Sequence, residues 1–426
     1  MPERALRALW TRSVQTGVPT PSVGTSLKSN TMPTNNNYDV ILAGGGIMGC
    51  AIAYNLLKRD RTLRVLIIER DSTYARASTT LSDGNTRIQF NLKENIQISL
   101  YGLEVLATFA EEFATQDHIP AINFRQQGNL YLVTAAGRAF AQQGVALQKS
   151  LGCDVEWLEP DQISAYYPLY QGSDDVVGAT LGRKDGTMSP GDVLLGYRRK
   201  AMELGATVLE AEIVELRKDG DQMSGLRLTS GELYSAPIIA NVTGAWAPIL
   251  AETVGVNLPI ASIKRQVYSV LVPRSFEKIL PMFLLPTGQY IFHEGENNYI
   301  TGGAQPDDPI TYTDFSWSQA RFQERLWEGL VTYLPDFDRL KVTNGWAGLY
   351  EYNTLDGNAI LGEWPELKGY YCANGFSGHG FQQCHAVGRY IAELILGQPP
   401  ALDLSIFSPQ RILDQKPVYE NPARLI

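Results

Sequence analysis

The sequence predicts a mixed α/β fold (α+β overall): a Rossmann-type dinucleotide-binding unit on a parallel sheet, interleaved with a domain on a mostly antiparallel sheet. Three observations predict it. A short apolar run, Tyr38-Asp-Val-Ile-Leu-Ala43, leads into Gly44-Gly45-Gly46-Ile47-Met48-Gly49 and then into helical spacing from Ile47 to Lys58. A second apolar run, Leu63 to Glu69, completes a strand–helix–strand unit, and such units imply parallel strands with right-handed crossovers. From Val267 to Gly303, β-branched and aromatic runs are separated by Pro and Gly, the pattern of antiparallel strands.

The elements follow in order. Residues 1–37 are set apart from the fold. They hold Arg4, Arg7, Arg12 and Lys28 with one acid, Glu3, among many Ser, Thr, Pro and Asn. Leu6, Leu9, Trp10 and Val14 can line one helix face, as in a mitochondrial presequence. A disordered tail, with Met32 as the working start, is the alternative. Tyr38 to Ala43 is too short and apolar for a helix and reads as a buried parallel strand. Glu94 to Ala114 reads as one long amphipathic helix, and Asn129 to Val133 as a strand. Ser189 is placed to cap, and Pro190 to open, a helix running to Leu204. Gly205 to Leu209 begins a strand, Leu226 to Ala236 makes a hairpin, and Ile238 to Thr243 is a buried strand ending at Gly244. Tyr370 to Ala373 is the last strand and Phe381 to Leu396 the last helix.

The glycines after the first strand carry chemistry. Gly44, Gly46 and Gly49 occupy the places of G-x-G-x-x-G, and Glu69 ends the second strand twenty residues after Gly49. The first glycine permits the tight turn, the second lets backbone approach a pyrophosphate, and the third lets helix and strand pack closely. The helix N-terminus offers free N–H groups and a positive dipole end to phosphates. A carboxylate at Glu69 suits ribose hydroxyls. Ile47 and Met48 within the loop, and Arg70 beside Glu69, join the cofactor-binding set.

Composition bounds the alternatives. At 426 residues the chain is large enough for two intertwined lobes, with 44% apolar and 19% charged residues. A net charge of −9 argues against a nucleic-acid partner. Cys50, Cys153, Cys372 and Cys384 form no CxxC pair, and with four histidines no metal-ligand spacing arises. They read as small buried hydrophobes in a reducing compartment. No apolar run is long enough to cross a membrane.

Three further stretches carry a resemblance: Ala77-Ser-Thr-Thr-Leu-Ser-Asp-Gly-Asn-Thr-Arg87, Asn241-Val-Thr-Gly-Ala-Trp246 and Asn374-Gly-Phe-Ser-Gly-His-Gly-Phe381. Together they resemble the FAD-dependent D-amino-acid oxidase superfamily, in its sarcosine oxidase and dimethylglycine dehydrogenase-like branch. Phe90 to Gln97, Trp346 to Asn353 and Leu402 to Ser405 read like the subgroup that holds a complex I assembly protein and its bacterial relatives. The resemblance implies an FAD domain built from residues 38–120, 175–250 and 340–407. It implies a substrate domain from 121–174 and 251–339, with 408–426 as a C-terminal tail. It adds Ser78, Thr79, Ile213, Gly244, Trp246, Gly378, His379, Gly380, Phe381 and Gln382 to the FAD-binding set. The glycine turn allows close approach to a flat ring, and the helix after it would favour negative charge on reduced flavin.

For the substrate, the resemblance implies Arg87 as a carboxylate partner, Tyr350 as a substrate-facing phenol, Gln382 as an orienting group and His379 as a candidate for proton transfer. Tyr290 is a weaker candidate. Replacing Arg87 with Met is expected to raise KM for carboxylated substrates about 10²-fold. There are departures. Gln382 stands where sarcosine oxidases carry lysine, Phe90 where they carry a second arginine, and Asn298 to Gly302 lacks their oxygen-activating lysine. Lys264 and Arg265 are near but on another strand. The cysteine that attaches flavin in the family falls at Gly348, so noncovalent FAD is expected.

The reading is an FAD-dependent oxidoreductase that oxidises a small amine or amino acid at its C–N bond by hydride transfer to flavin N5. Oxygen or another electron acceptor would reoxidise it. The alternative is an FAD-bound assembly or binding protein for a respiratory complex with little catalysis. The compartment expected is the cytosol or the mitochondrial matrix.

Overall fold

The computed structural model describes residues 36–420. The targeting-segment reading of the N-terminus therefore lies almost wholly outside the described residues. Residues from Tyr38 onward form one compact unit containing two large sheets.

The first sheet has six strands in the order Ile360–Glu363, Tyr370–Asn374, Ile238–Asn241, Val40–Ala43, Val65–Glu69 and Thr207–Glu210. All neighbours are parallel except the first two. Val40–Ala43 lies centrally, with Val40 opposite both Ile238 and Val65. Both faces are covered, so its strands are apolar throughout. Val40, Leu42, Val65 and Ile67 pack under the helices Ile47–Arg59, Pro190–Leu204 and Gly380–Ile395. Ile41, Ala43, Leu66 and Ile68 pack beneath a three-stranded sheet (Ile213–Asp219, Gln222–Leu228, Leu233–Ser235) and the helix Ala247–Glu252. Helix Pro190–Leu204 starts as expected: the Ser189 hydroxyl accepts the Asp192 N–H at 3.3 Å, and Gly205 at φ +120° ends it.

The second sheet has seven strands: Lys341–Asn353, Ile260–Phe276, Gln289–Gly303, Met282–Leu284, Asn129–Thr134, Val176–Gly182 and Val155–Leu158. It is antiparallel except where Met282–Leu284 joins Asn129–Thr134. Its outer face packs on the short helices Pro160–Tyr166, Gln319–Arg325 and Trp327–Tyr333.

Three expectations change. Val176–Gly182 and Lys341–Asn353, expected within the FAD segments, pair within the antiparallel sheet. Their Gly-rich and alternating sequences fit that setting. The helix from Glu94 breaks at Thr108 (φ −118°, ψ 14°), and Phe109–Glu112 continues as a separate turn. Turning the chain there buries Phe109 against Phe113. Finally, residues 408–420 are docked rather than trailing. Arg411, 5% exposed, pairs with Asp356 at 2.9 Å, and Glu420 accepts the Asn91 N–H at 2.6 Å.

No helix among the described residues is long and apolar enough to cross a membrane. The four cysteines are buried and unpaired, and burial pushes the Cys50 and Cys372 thiols up to about 12.

Candidate functional site

A cleft of about 410 Å³ runs between the two sheets. One end is the loop after Val40–Ala43. There each glycine is required for a different reason. Gly44 has φ +110°, and a Cβ on it would lie 2.5 Å from the Val242 carbonyl oxygen. A Cβ on Gly49 would lie 2.0 Å from the Gly44 carbonyl oxygen. At Gly46 a Cβ would meet only Thr79, at 3.5 Å, so this backbone stands open to the cleft. The Thr79 hydroxyl accepts the Ile47 N–H at 3.2 Å, and Met48 also lines the cleft. The N–H groups at this helix start otherwise have no intrahelical acceptor.

Glu69 joins the loop to the second strand. Its carboxylate accepts the Gly45 N–H at 2.9 Å and the Asp71 N–H at 3.1 Å. Burial raises its pKa, while those N–H groups and Arg70 draw it back down. Each oxygen spends one lone pair on the backbone, leaving others for hydroxyls in the cleft. The Arg70 guanidinium lies 3.6 Å from the ring centroid of Trp246, and Ile213 and Gly244 (φ +60°) complete this wall.

The segment Ala77 to Asp83 crosses the cleft and is fastened to the antiparallel sheet. Ser78 donates to the Leu349 carbonyl at 2.8 Å, and Trp346 Nε1 to the Leu81 carbonyl at 3.0 Å. A Cβ at Gly348 would press Leu81 at 3.3 Å. Opposite lies the turn before the helix Gly380–Ile395. Ser377 is held at φ +51°, with its N–H on the Glu351 carbonyl and its hydroxyl accepting the Asn353 N–H. Gly378 has φ +95°, and a Cβ there would come 2.4 Å from the Tyr350 ring. Gly380 and Phe381 open the helix Gly380–Ile395 and line the cleft.

The predicted substrate residues divide into two places. Tyr350 lines the cleft beside Tyr290, and burial followed by the charge of Asp83 pushes its phenol up to about 12. Arg87, His379 and Gln382 come together outside the main cleft wall. Arg87 Nη2 donates to His379 Nε2 at 2.8 Å, Nη1 to the Tyr131 hydroxyl at 3.0 Å, and its backbone N–H to Gln382 Oε1 at 2.7 Å. Since arginine only donates, His379 Nε2 accepts, and the ring is the neutral Nδ1–H tautomer. Burial and then Arg87 lower His379 to about 3. Arg87 and His379 border a separate cavity of about 40 Å³ with Gln89, Phe90, Asn91, Tyr131 and Glu420.

Charged residues outside the predicted set also line the main cleft, and Asp83, Arg265 and Glu351 lie at its antiparallel-sheet end. Glu351 Oε2 accepts the Gly375 N–H at 3.1 Å, and burial pushes its carboxyl up to about 8. Arg265 lies 5.6 Å from the Tyr350 ring centroid and is paired with Asp308. Asp83 lies in the segment that crosses the cleft, where a single acid among polar residues carries no periodic signal.

These residues fit FAD: a glycine cradle at two helix starts, an acceptor for ribose and a long cleft ending under a glycine turn. Comparison with known proteins agrees. Residues 39–394 match the model of the DAO family, described as FAD dependent oxidoreductase. The chain is 34% identical over 410 residues to FAD-dependent oxidoreductase domain-containing protein 1 of Bos taurus, covering 87% of this chain and 83% of that protein. It is 27% identical to sarcosine oxidase subunit beta of Arthrobacter sp, covering 84% and 87%. Among solved structures, L-proline dehydrogenase from P. horikoshii superposes with a TM-score of 0.79 at 25% identity, over 90% of this chain and all of that one. Glycine oxidase from Geobacillus kaustophilus gives 0.75 at 25% identity, over 88% and 99%.

Proposed function

Because the chain belongs to the DAO family of FAD-dependent oxidoreductases, we propose that it oxidises a small amine or amino acid at its C–N bond, with FAD held noncovalently. One observation carries this reading. The cleft that begins at the dinucleotide fingerprint runs on, without interruption, to a pocket of Tyr290, Tyr350, Asp83 and Arg265 under the antiparallel sheet. A relative named sarcosine oxidase subunit beta matches in sequence, and structures named L-proline dehydrogenase and glycine oxidase share the fold, each over most of its length.

FAD, when bound, supplies the acceptor for the hydride that leaves a carbon beside nitrogen. The protein's part is to bind, orient and exclude water. The starts of helices Ile47–Arg59 and Gly380–Ile395 would hold the phosphates and favour negative charge at the ring. Tyr290 and Tyr350 bound the space where an amine would sit. Arg87, with Gln382 and His379, is proposed to act from behind the crossing segment, fixing its position. Neither cysteine nor histidine lines the cleft among the described residues, which supports noncovalent attachment.

The test is an anaerobic absorbance titration of purified protein with amino acids and N-methyl amines, following the flavin band near ~450 nm. Bleaching by one compound class is expected, and readmitted air then separates oxidase from dehydrogenase. A yellow protein that none of them bleaches would refute the reading and leave FAD as a structural element of a binding or assembly protein.

A further inference from the structure

Resting on amine oxidation as the reaction, we infer that Asp83 receives the substrate's nitrogen, seating an alkylated ammonium between its carboxylate and the rings of Tyr290 and Tyr350. Asp83 ends the crossing segment and lines the cleft where that segment meets the antiparallel sheet. Its carboxylate accepts the Asn85 N–H at 3.4 Å and the Tyr290 hydroxyl. Tyr290 is aimed there by its surroundings: a Cβ at Gly302 would come 2.5 Å from its hydroxyl, so glycine leaves room for the phenol. Tyr350 is held against Gly378 and is close enough to Asp83 for the carboxylate's charge to raise its phenol.

No cation at this end of the cleft is ion-paired with Asp83 among the described residues. Arg265 is ion-paired with Asp308, which it shares with Arg321. Arg87 hydrogen-bonds His379 and Tyr131 behind the crossing segment, and reaches Asp83 only through its charge. Glu351 accepts the Gly375 N–H and is kept neutral by burial. Asp83 has no ion-pair partner among the described residues, and burial raises its pKa against the pull of Asn85, Tyr290 and Arg87. An enclosed carboxylate without a cation is costly, and a cationic ligand relieves that cost. Two tyrosine rings beside it suit a nitrogen carrying alkyl groups. Secondary and tertiary amines, N-alkyl amino acids among them, are thus favoured over primary ones. The same carboxylate can accept the ammonium proton: the N–H bond breaks, an O–H bond forms on Asp83, and the freed lone pair is what oxidation of the adjacent carbon needs.

The test compares a redox-inert cation with its uncharged-centre isostere. FAD-loaded protein is titrated with glycine betaine and with 3,3-dimethylbutanoate, which differ only in nitrogen against carbon, and the flavin spectrum reports binding. The wild-type protein should prefer betaine by about 10-fold or more. Asp83→Asn should abolish the preference with FAD content unchanged. Tyr290→Phe, which keeps the ring and removes the hydroxyl that orients the carboxylate, should reduce it partly. Equal binding of both ligands by the wild-type protein, or an unchanged preference in Asp83→Asn, would overturn the assignment. So would loss of FAD in Asp83→Asn with the preference intact in the remaining holoprotein, since Asp83 would then serve the cofactor. Failure of amine oxidation is seen separately, as flavin that no amine bleaches whatever betaine does.

Discussion

Replacing Glu351 with glutamine should stabilise the protein increasingly as pH rises. Glu351 is enclosed beside the glycine turn, and burial shifts its carboxyl from 4.5 to about 8. At low pH both folded and unfolded chains hold the proton, and the group contributes nothing to the balance. Between 4.5 and about 8 the folded chain keeps a proton that the unfolded chain has released, so stability falls with rising pH. At about 1.4 kcal/mol per pH unit, the full interval sets a ceiling of about 5 kcal/mol. Water in the cleft relaxes part of this, so a gain of about 2 kcal/mol in Glu351→Gln between pH 5 and pH 8 is expected. Glutamine keeps the volume and can still accept the Gly375 N–H. The assay is urea denaturation of both proteins at saturating FAD across that range. A difference between them that does not change with pH would refute the assignment of Glu351 as a neutral acid.

Other perturbations test other parts. Gly49→Ala forces a Cβ to within 2.0 Å of the Gly44 carbonyl oxygen, so it should cost about 1–3 kcal/mol and lower the FAD content of purified protein, read by absorbance. Arg87→Met separates two roles. A carboxylate clamp would raise KM about 10²-fold, whereas the observed bonding to His379 and Tyr131 predicts lower thermal stability with KM changed less than about threefold. Arg411→Met strands the buried Asp356 carboxylate and should cost about 3–5 kcal/mol in denaturation experiments without altering the flavin spectrum.

The parallel unit was legible because its information is local. Tyr38 to Glu69 combines a short apolar run, glycines at fixed offsets and one acid at the next strand's end, and those features act within a single supersecondary unit. The cap at Ser189 and the last helix are local in the same sense. Strand Lys341–Asn353 was harder. Its partner Ile260–Phe276 is about eighty residues away, and only that pairing assigns it to the antiparallel sheet. The candidate site shows the same division. Glycines whose need arises from neighbouring backbone, such as Gly44, can be inferred from spacing. Arg87 could be found by resemblance, but its partners His379 and Tyr131 are far along the chain, so which cavity it faces is a tertiary property. Asp83, Arg265 and Glu351 matter because of what encloses them, and enclosure leaves no pattern in a loop or an alternating strand.

The central claim, that this cleft oxidises an amine with FAD, is tested most directly by a single anaerobic turnover. FAD-loaded protein is mixed with the amine that bleaches it, the reaction is quenched, and the carbonyl product of imine hydrolysis is counted. The account predicts one carbonyl product and one dealkylated or deaminated nitrogen product for each flavin bleached. Bleaching with the amine recovered intact would contradict it.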